Sequence, residues 1–282
     1  MKMWQKYPNL EMDNAKIALL TTVINWELYH KSSQHFPKGI RKFVIDGTNG
    51  MYGIDSLYYM MKKLKNRNID WLIMADEDVL FINPDSVYST IEEMISKDFT
   101  VAGVRDGGVI ARRAYSPYLI NTFFSIINFK ELESIWNEKE IRKNQYLLEN
   151  EFDDDLSSLK TDFDTKSLYE PYYCFYFWLK RKGKKILFLE AKTPFDSDEI
   201  TTLVINNNGQ ELLYHTWYAR SYGNNEKHTK RIDQVFSILR FDTNLNSKPV
   251  VFKDYFFYLK RKSYKLGKRM YRRLNLVFNN QQ

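Results

Sequence analysis

The sequence predicts an α/β fold with a mostly parallel, Rossmann-like central sheet flanked by helices and followed by a basic C-terminal helical tail. Short strand-type runs alternate with helical patterns along the first part of the chain, as in domains built on parallel sheets. Residues 70–75 are apolar without alternation, which is typical of a strand covered on both faces. The 282 residues, 44% of them hydrophobic, suffice for one large core. We therefore assign residues 1–250 to one domain and 251–282 to the tail.

Each strand is predicted from a short apolar run bounded by turn residues. The predicted strands span residues 16–23, 41–46, 70–75, 99–104, 121–129, 185–189 and 211–215. The helices are predicted from apolar residues that recur every three or four positions, and from Pro84, which is well placed in a first helical turn. They span residues 51–64, 86–96, 130–148, 168–182 and 251–278. Residues 149–164 lack an apolar period, which predicts an exposed loop near the site or a lid.

Cysteine content and hydropathy exclude several classes of protein. Cys174 is the single cysteine, which excludes a disulfide framework and a zinc cluster built on thiolates. No apolar run reaches the roughly 18 residues of a membrane span, and the first residues lack the apolar core of a signal peptide. These features predict a cytoplasmic protein.

The basic surplus of the chain is concentrated near its C-terminal end. The sequence has 42 Lys and Arg against 35 Asp and Glu, eight of the basic residues lie between Lys260 and Arg273, and no acidic residue follows Asp254. Bulky aromatics interspersed with these charges predict a helix that lies on an anionic membrane, at the inner face of the cell membrane. The alternative is a basic helix that packs on the body through its aromatics. The non-enzymatic alternative is a nucleic-acid-binding protein. Because the surplus of basic residues is confined to one segment, the sequence argues against it.

The sequence contains four D-x-D pairs, and only their context distinguishes them. Asp76 and Asp78 directly follow a predicted buried strand, where alternation points two side chains in the same direction. The other pairs lie in polar stretches: Asp153/Asp155, Asp162/Asp164 and Asp196/Asp198. With Glu77 between them, Asp76 and Asp78 place three acids at the end of a strand, where a divalent cation would relieve their repulsion. Hard carboxylate oxygens are suitable ligands for Mg²⁺ or Mn²⁺. The alternative is that the three acids form a charged strand-to-loop connection that binds no metal.

The run WLIMADEDVLFINPDSV resembles the central region of GT-A nucleotide-sugar glycosyltransferases, particularly bacterial enzymes that build capsule and surface polysaccharides. The resemblance extends over about residues 16–222. It implies a GT-A fold and metal-dependent transfer of a sugar from a nucleotide donor, most simply a UDP-sugar, to a saccharide or lipid-linked saccharide acceptor. The cation would neutralise the charge that builds on the departing diphosphate.

The same resemblance implies a third metal ligand and a general base. Tyr214-His215-Thr216-Trp217 resembles the late histidine element of the family, which makes His215 the candidate ligand, although a packed structural histidine is the alternative. An inverting transfer needs a carboxylate that accepts the proton of the acceptor hydroxyl. Glu170 is the first candidate and Asp164 the second, whereas an ordinary acid at a helix start is the alternative for Glu170.

Donor contacts are expected from residues at the ends of other predicted strands. The resemblance places Thr21, Thr22 and Asp46 near the base and ribose, although Asp46 alternatively caps the turn at Gly47. Asp106 follows a strand and is expected to bind hydroxyls of the donor sugar. Arg112, with its neighbour Arg113, is expected to face the diphosphate, and a solvated surface pair is the alternative.

Two related enzyme classes compete with this interpretation. A sugar-phosphate nucleotidyltransferase shares the alternating fold but carries a glycine-rich phosphate loop after its first strand, where residues 21–26 here contain no glycine. A retaining glycosyltransferase would use the same metal pair without a dedicated base. Aromatic residues such as Tyr172, Tyr173, Trp217 and Tyr218 are candidates for stacking on an acceptor sugar, with burial in the core as the alternative.

Overall fold

The computed structural model describes residues 13–157, 159, 161–239, 248–264 and 266–267. The strands are β1 (Ile17–Val23), β2 (Arg41–Asp46), β3 (Trp71–Ala75), β4 (Val79–Phe81), β5 (Val101–Arg105), β6 (Ile120–Asn128), β7 (Ile186–Lys192), β8 (Thr202–Ile205), β9 (Glu211–His215) and β10 (Val250–Phe252). The α-helices are α1 (Trp26–Ser32), α2 (Ile54–Leu64), α3 (Ser86–Lys97), α4 (Phe129–Ile135), α5 (Glu138–Lys143), α6 (Tyr173–Arg181) and α7 (Glu226–Ser237).

The described strands form one sheet in the order β10-β2-β1-β3-β6-β5-β7-β8-β9-β4. The pairs β10–β2, β2–β1, β1–β3 and β5–β7 are parallel, and β6 lies antiparallel between β3 and β5. Strands β7, β8, β9 and β4 continue as an antiparallel extension. The predicted α/β fold, with a large, mostly parallel central sheet and flanking helices, is confirmed.

The central strands are buried on both faces because alternate side chains enter two different cores. Leu19 of β1 pairs with Ile73 of β3, and both lie in the core on one side of the sheet. Leu20 pairs with Met74, and both lie in the core on the opposite side, where α2 and α6 pack. This arrangement explains why residues 70–75 show no polar alternation.

Three predicted helices differ from the structure. The helix predicted at 130–148 is divided, because Asn137 accepts hydrogen bonds from the backbone N–H groups of Lys139 and Glu140 and starts α5 anew. The helix predicted at 168–182 begins only at Tyr173, since a residue before Pro171 is disfavoured in helical conformation. Residues 251–252 were predicted as helix but belong to β10.

The first part of the predicted tail is therefore a strand of the central sheet. Phe252 of β10 stacks on Phe43 of β2 with ring centroids 5.8 Å apart. Residues 257–264 are helical, whereas residue 265 and residues 268–278 of the predicted tail helix lie outside the described residues. Among the described helices, none combines the length and the apolar character that crossing a bilayer requires.

Candidate active site

A cleft with a volume of about 690 Å³ opens at the carboxyl ends of β1 and β3. Its floor is formed by the acids after β3, and its walls come from the first turn of α2, the segment before α6 and the segment after β9. This is the edge at which open α/β sheets bind ligands, because the loops that leave parallel strands surround a crevice there. The volume lies within the range of small-molecule and cofactor sites.

The three acids form a tight turn between β3 and β4. The backbone N–H of Val79 donates to the carbonyl oxygen of Asp76 at 3.2 Å, and all three acids line the cleft. Burial, with the charges of Glu77 and Asp78 added, raises the pKa of Asp76 well above its ordinary value. The three acids thus lie in a turn after β3, whereas the sequence prediction placed them by the alternation of side chains along a strand.

Glu77 connects the turn formed by the three acids to the residues that precede α1. Its Oε1 accepts hydrogen bonds from the backbone N–H groups of Ile24 and Asn25, each at 3.1 Å. Burial and the neighbouring charge of Asp78 raise the pKa of Glu77 to about 7, although the backbone hydrogen bonds oppose this shift. Glu77 thus shapes the wall of the cleft in addition to contributing charge.

His215 reaches the acid turn because β9 pairs with β4. Val79 is the register partner of His215, and the imidazole Nε2 lies 3.3 Å from Oδ1 of Asp78. The imidazole stacks on Phe123 with centroids 4.0 Å apart and lies 4.3 Å from the ring of Trp217. Both side chains of the Asp78–His215 pair are 4% exposed, so the pair is held in a fixed orientation.

The residues after His215 adopt an unusual backbone conformation. Trp217 and Tyr218 have φ values of 59° and 62°, and both line the cleft. Non-glycine residues in this region are uncommon and recur at functional sites, where the surrounding structure holds them. Arg231 of α7 supplies this support, since its guanidinium donates to the carbonyl oxygen of Trp217 at 3.2 Å and pairs with Asp198 at 3.2 Å.

Glu170 lines the cleft together with its neighbours Pro171 and Tyr172. Its side chain is partly buried, and burial raises its pKa, with a further contribution from the charge of Asp106 and an opposing one from Arg113. Asp164, the other predicted base, is exposed and does not line the cleft. Its Oδ1 accepts from the backbone N–H of Lys166 at 2.9 Å, which makes it a local turn residue in place of the predicted catalytic one.

Asp106 is 1% exposed and does not line the cleft. We call it a hub because its carboxylate is the shared acceptor of several hydrogen bonds. Its carboxylate accepts hydrogen bonds from Tyr172 Oη, Tyr173 Oη, Asn121 Nδ2 and the backbone N–H groups of Tyr115 and Ser116. Protein donors therefore take up the oxygen atoms that we had expected to bind the donor sugar. The structural role replaces the predicted contact, since it joins the segment after β5 to the start of α6.

Of the residues predicted to contact the base and ribose of the donor, only one lines the cleft. Thr22 lines the cleft, whereas Thr21 is fully buried and does not. Asp46 does not line the cleft, because its carboxylate accepts from the backbone N–H of Thr48 at 3.0 Å and pairs with Lys253 at 2.7 Å. The structure thus supports the turn-capping alternative for Asp46.

Arg112 is exposed and outside the cleft lining, and its guanidinium contacts the Tyr218 hydroxyl. Its neighbour Arg113 does line the cleft and lies over the Trp217 ring at 4.9 Å. Of the two arginines in the short helical turn at residues 111–113, Arg113 is therefore the one whose side chain reaches the cleft.

Two further arginines at the cleft were missed from the sequence. Arg220 and Arg261 lie on the Tyr52 ring at 4.7 and 5.4 Å from its centroid, and all three residues line the cleft. Arg261 also donates to the carbonyl oxygen of Gly50 at 2.7 Å. Arg220 could have been identified from the sequence, because it lies only five residues after His215. No local sequence pattern relates Arg261, which lies in the tail, to this site.

The donor set fits a hard divalent cation with one imidazole. Asp76, Asp78 and His215 supply carboxylate and imidazole donors on one side of the cleft, the ligand types that Mn²⁺ accepts. Within the described residues, no three metal-ligating side chains are already gathered into a cation-sized group. The assembled part is the Asp78–His215 pair, and Asp76 lines the same cleft.

No protein-family model matches the chain, and no curated protein matches it in sequence. The glycosyltransferase GlyE from Streptococcus pneumoniae TIGR4 is similar in structure, with 10% identity and a TM-score of 0.38 over 62% of this chain and 45% of GlyE. The mannosyltransferase PcManGT from Pyrobaculum calidifontis, solved in complex with GDP-Man and Mn²⁺, gives 8% identity and a TM-score of 0.28 over 43% of this chain and 46% of that one. A protein from STIV gives 12% identity and a TM-score of 0.35 over 70% of this chain and 93% of that one.

Glycosyltransferases recur among these similar structures. Because every TM-score is below 0.5, the activity of this chain has to be inferred from the chemistry of its own cleft.

Proposed function

We propose that the protein is a metal-dependent glycosyltransferase that moves a sugar from a nucleoside-diphosphate donor, UDP-linked in the simplest case, to a saccharide or lipid-linked saccharide acceptor of surface polysaccharide synthesis. The observation that carries the proposal is the Asp78–His215 pair, 3.3 Å apart on the floor of a cleft that also holds Asp76. Burial and mutual repulsion raise the pKa of Asp76 and of Glu77, and the charge of Arg220 only partly opposes the shift at Asp76, so these acids favour a bound cation.

Asp76, Asp78 and His215 would hold Mn²⁺ or Mg²⁺, which supplies Lewis-acid stabilisation of the leaving diphosphate. Arg113 and Arg220 carry positive charge at the cleft wall, where they can bind phosphate oxygens. Thr22 and Ile24, whose backbone N–H donates to Glu77, line the cleft at the end of β1, where we place the nucleoside.

Glu170 is the proposed general base. Burial raises the pKa of its carboxyl, which brings it closer to the range in which a base is effective near neutral pH. Accepting the proton of an acceptor hydroxyl as the new glycosidic bond forms would give an inverting transfer. The new bond and the departing nucleoside diphosphate then lie on opposite faces of the sugar carbon.

The tail provides a second part of the proposal, a contact with anionic membrane at the cytoplasmic face. Tyr255, Phe256 and Tyr258 are 77%, 64% and 59% exposed, and they precede the basic run that starts at Lys260. Exposed aromatics beside dense positive charge are the composition of helices that bind anionic lipid surfaces. The alternative, a tail that packs on the body through its aromatics, applies to Phe257, which packs against the core, but not to these three exposed residues.

The direct test is calorimetric titration of the full chain with MnCl₂ and with UDP or GDP in the presence and absence of Mn²⁺. We expect nucleotide binding that depends on Mn²⁺ in the wild type and is lost in Asp78→Asn. Asp153→Asn is the matched control, because Asp153 is an exposed member of another D-x-D pair. Uptake of neither Mn²⁺ nor nucleotide by the folded wild type would rule out the proposal.

A further inference from the structure

An exposed aromatic pair borders the cleft beside Glu170. Tyr169 directly precedes Glu170 and is 63% exposed. One face of its ring is stacked on Tyr115, with centroids 4.0 Å apart and planes inclined by 24°. Because Tyr169 stays 63% exposed while one face is stacked, the pair forms a flat aromatic platform at the surface.

The platform is held rigidly from both sides by one buried carboxylate. Asp106 accepts from the backbone N–H of Tyr115 at 3.2 Å and from the Tyr172 hydroxyl at 3.2 Å. The first bond fixes the segment that carries Tyr115, and the second fixes the segment that carries Tyr169. The backbone N–H of Tyr169 also donates to Ser167 Oγ at 3.3 Å. A fixed aromatic face loses little conformational freedom when a ligand binds to it.

The position of the platform relates it to the chemistry of the cleft. Glu170 and Arg113 both line the cleft; Glu170 directly follows Tyr169, and Arg113 lies two residues before Tyr115. Both charges act on the Tyr115 hydroxyl, whose pKa is raised by a hydrogen bond with Tyr169 and by Glu170 and lowered by Arg113, so a ring that rests on Tyr169 has a carboxylate acceptor and a guanidinium donor nearby. Apolar contact on the face combined with polar groups at the edge matches a pyranose, which has a C–H face and a rim of hydroxyls.

We propose that Tyr169, backed by Tyr115, is the stacking platform for the acceptor saccharide and presents an acceptor hydroxyl to Glu170. The inference rests on the proposed glycosyl transfer and adds the acceptor subsite to it. It also replaces the aromatics that the sequence had pointed to, because Tyr172, Tyr173 and Trp217 are buried. Tyr218 stacks on His228, with ring centroids 4.4 Å apart.

The test uses saturation-transfer NMR of the full chain with the methyl glycosides of glucose, galactose, mannose and N-acetylglucosamine, and with lactose. In the wild type we expect saturation to be strongest on the C–H protons of one pyranose face of at least one glycoside. Tyr169→Ala should weaken that binding about tenfold, the order expected for loss of one stacked ring. Tyr169→Phe should retain it. Tyr264→Ala is the matched control, since Tyr264 is 69% exposed and lies in the tail.

Calorimetry with UDP or GDP and Mn²⁺ on the same variants separates this inference from the proposed function. Unchanged nucleotide binding in Tyr169→Ala together with weaker glycoside binding supports the platform. Equal glycoside binding in Tyr169→Ala and wild type, loss of nucleotide binding in Tyr169→Ala, or no saturation of any of these sugars overturns it. Failure of the wild type to bind nucleotide would instead count against the donor assignment, while the glycoside result is read independently of it.

Discussion

The imidazole Nε2 of His215 lies 3.3 Å from Oδ1 of Asp78, although the two residues are far apart in sequence. Antiparallel pairing of β9 with β4 brings them together, because Val79 and His215 are register partners. The backbone N–H of Thr216 donates to the carbonyl oxygen of Asp78 at 3.0 Å and extends this pairing by one residue. A short strand that begins directly after Asp78 is thus what joins a late histidine to an early acid.

Replacing His215 with alanine should weaken Mn²⁺ binding about tenfold to a hundredfold, since it removes one donor and leaves Asp78 without its oriented neighbour. Calorimetric titration with MnCl₂ measures the effect. His30→Ala is the control, because His30 is exposed on α1. Wild-type Mn²⁺ affinity in His215→Ala would show that the histidine is a packed structural residue.

Glu170→Gln should lower the turnover number for sugar transfer by about 10²-fold or more, because an amide cannot accept the proton of the acceptor hydroxyl. Nucleotide affinity, measured by calorimetry, should not change. Asp164→Asn serves as the comparison, since Asp164 is exposed outside the cleft. A product with the anomeric configuration of the donor, determined by NMR, together with a small rate effect would favour a retaining transfer.

The thermal stability of the metal-free protein should fall as the pH rises from about 5 to about 7.5. Glu77 has a pKa raised from 4.5 to about 7 in the folded state, so between these values the folded protein binds a proton that the unfolded chain releases. Stability therefore decreases with pH across this window. In Glu77→Gln the pH dependence should be smaller, because the amide stays neutral while its oxygen can accept from Ile24 and Asn25.

Melting temperatures in metal-free buffer check this prediction, with a difference of about 5 °C as the expected scale. Glu149→Gln is the control, because Glu149 is exposed. An identical pH slope in Glu77→Gln and wild type would contradict the assignment of the proton to Glu77.

Asp106→Ala should destabilise the fold by at least about 2 kcal/mol, since it leaves several buried donors without an acceptor. Urea unfolding measures the free energy of unfolding. Asp155→Ala should cost less, because Asp155 is exposed and its carboxylate accepts from the backbone N–H of Ser157 in a local turn. Equal losses of stability would argue against the hub role of Asp106.

The double variant Phe256→Ser/Tyr258→Ser should bind phosphatidylglycerol vesicles more weakly than wild type, because it removes exposed aromatic surface without changing charge. Vesicle co-sedimentation at low and high salt separates this effect from the electrostatic attraction of the basic residues. Leu148→Ser removes a comparably exposed side chain, 61% exposed, outside the tail. Unaltered vesicle binding of the double variant would refute the membrane contact.

Much of the fold was predictable because local patterns report it directly. Continuous apolar runs indicated β1, β2 and β3 to within one residue at each end, since these strands are buried on both faces and show no competing signal. Short elements were missed or misjudged. Strand β4 has three residues, and β10 was assigned to the tail helix because pairing with β2 depends on residues distant in sequence.

The α/β class and the position of Asp76 and Asp78 at a strand's carboxyl end could be predicted from the sequence, because both depend on neighbours in the chain. Which other polar residues reach the cleft depends on how distant segments pack together. Asp106 and Asp46 have the residue type and position of ligand contacts, yet Tyr172 and Lys253 occupy their carboxylates. A carboxylate binds the donors nearest to it in space, and long-range packing, which no local sequence pattern reports, determines which donors those are.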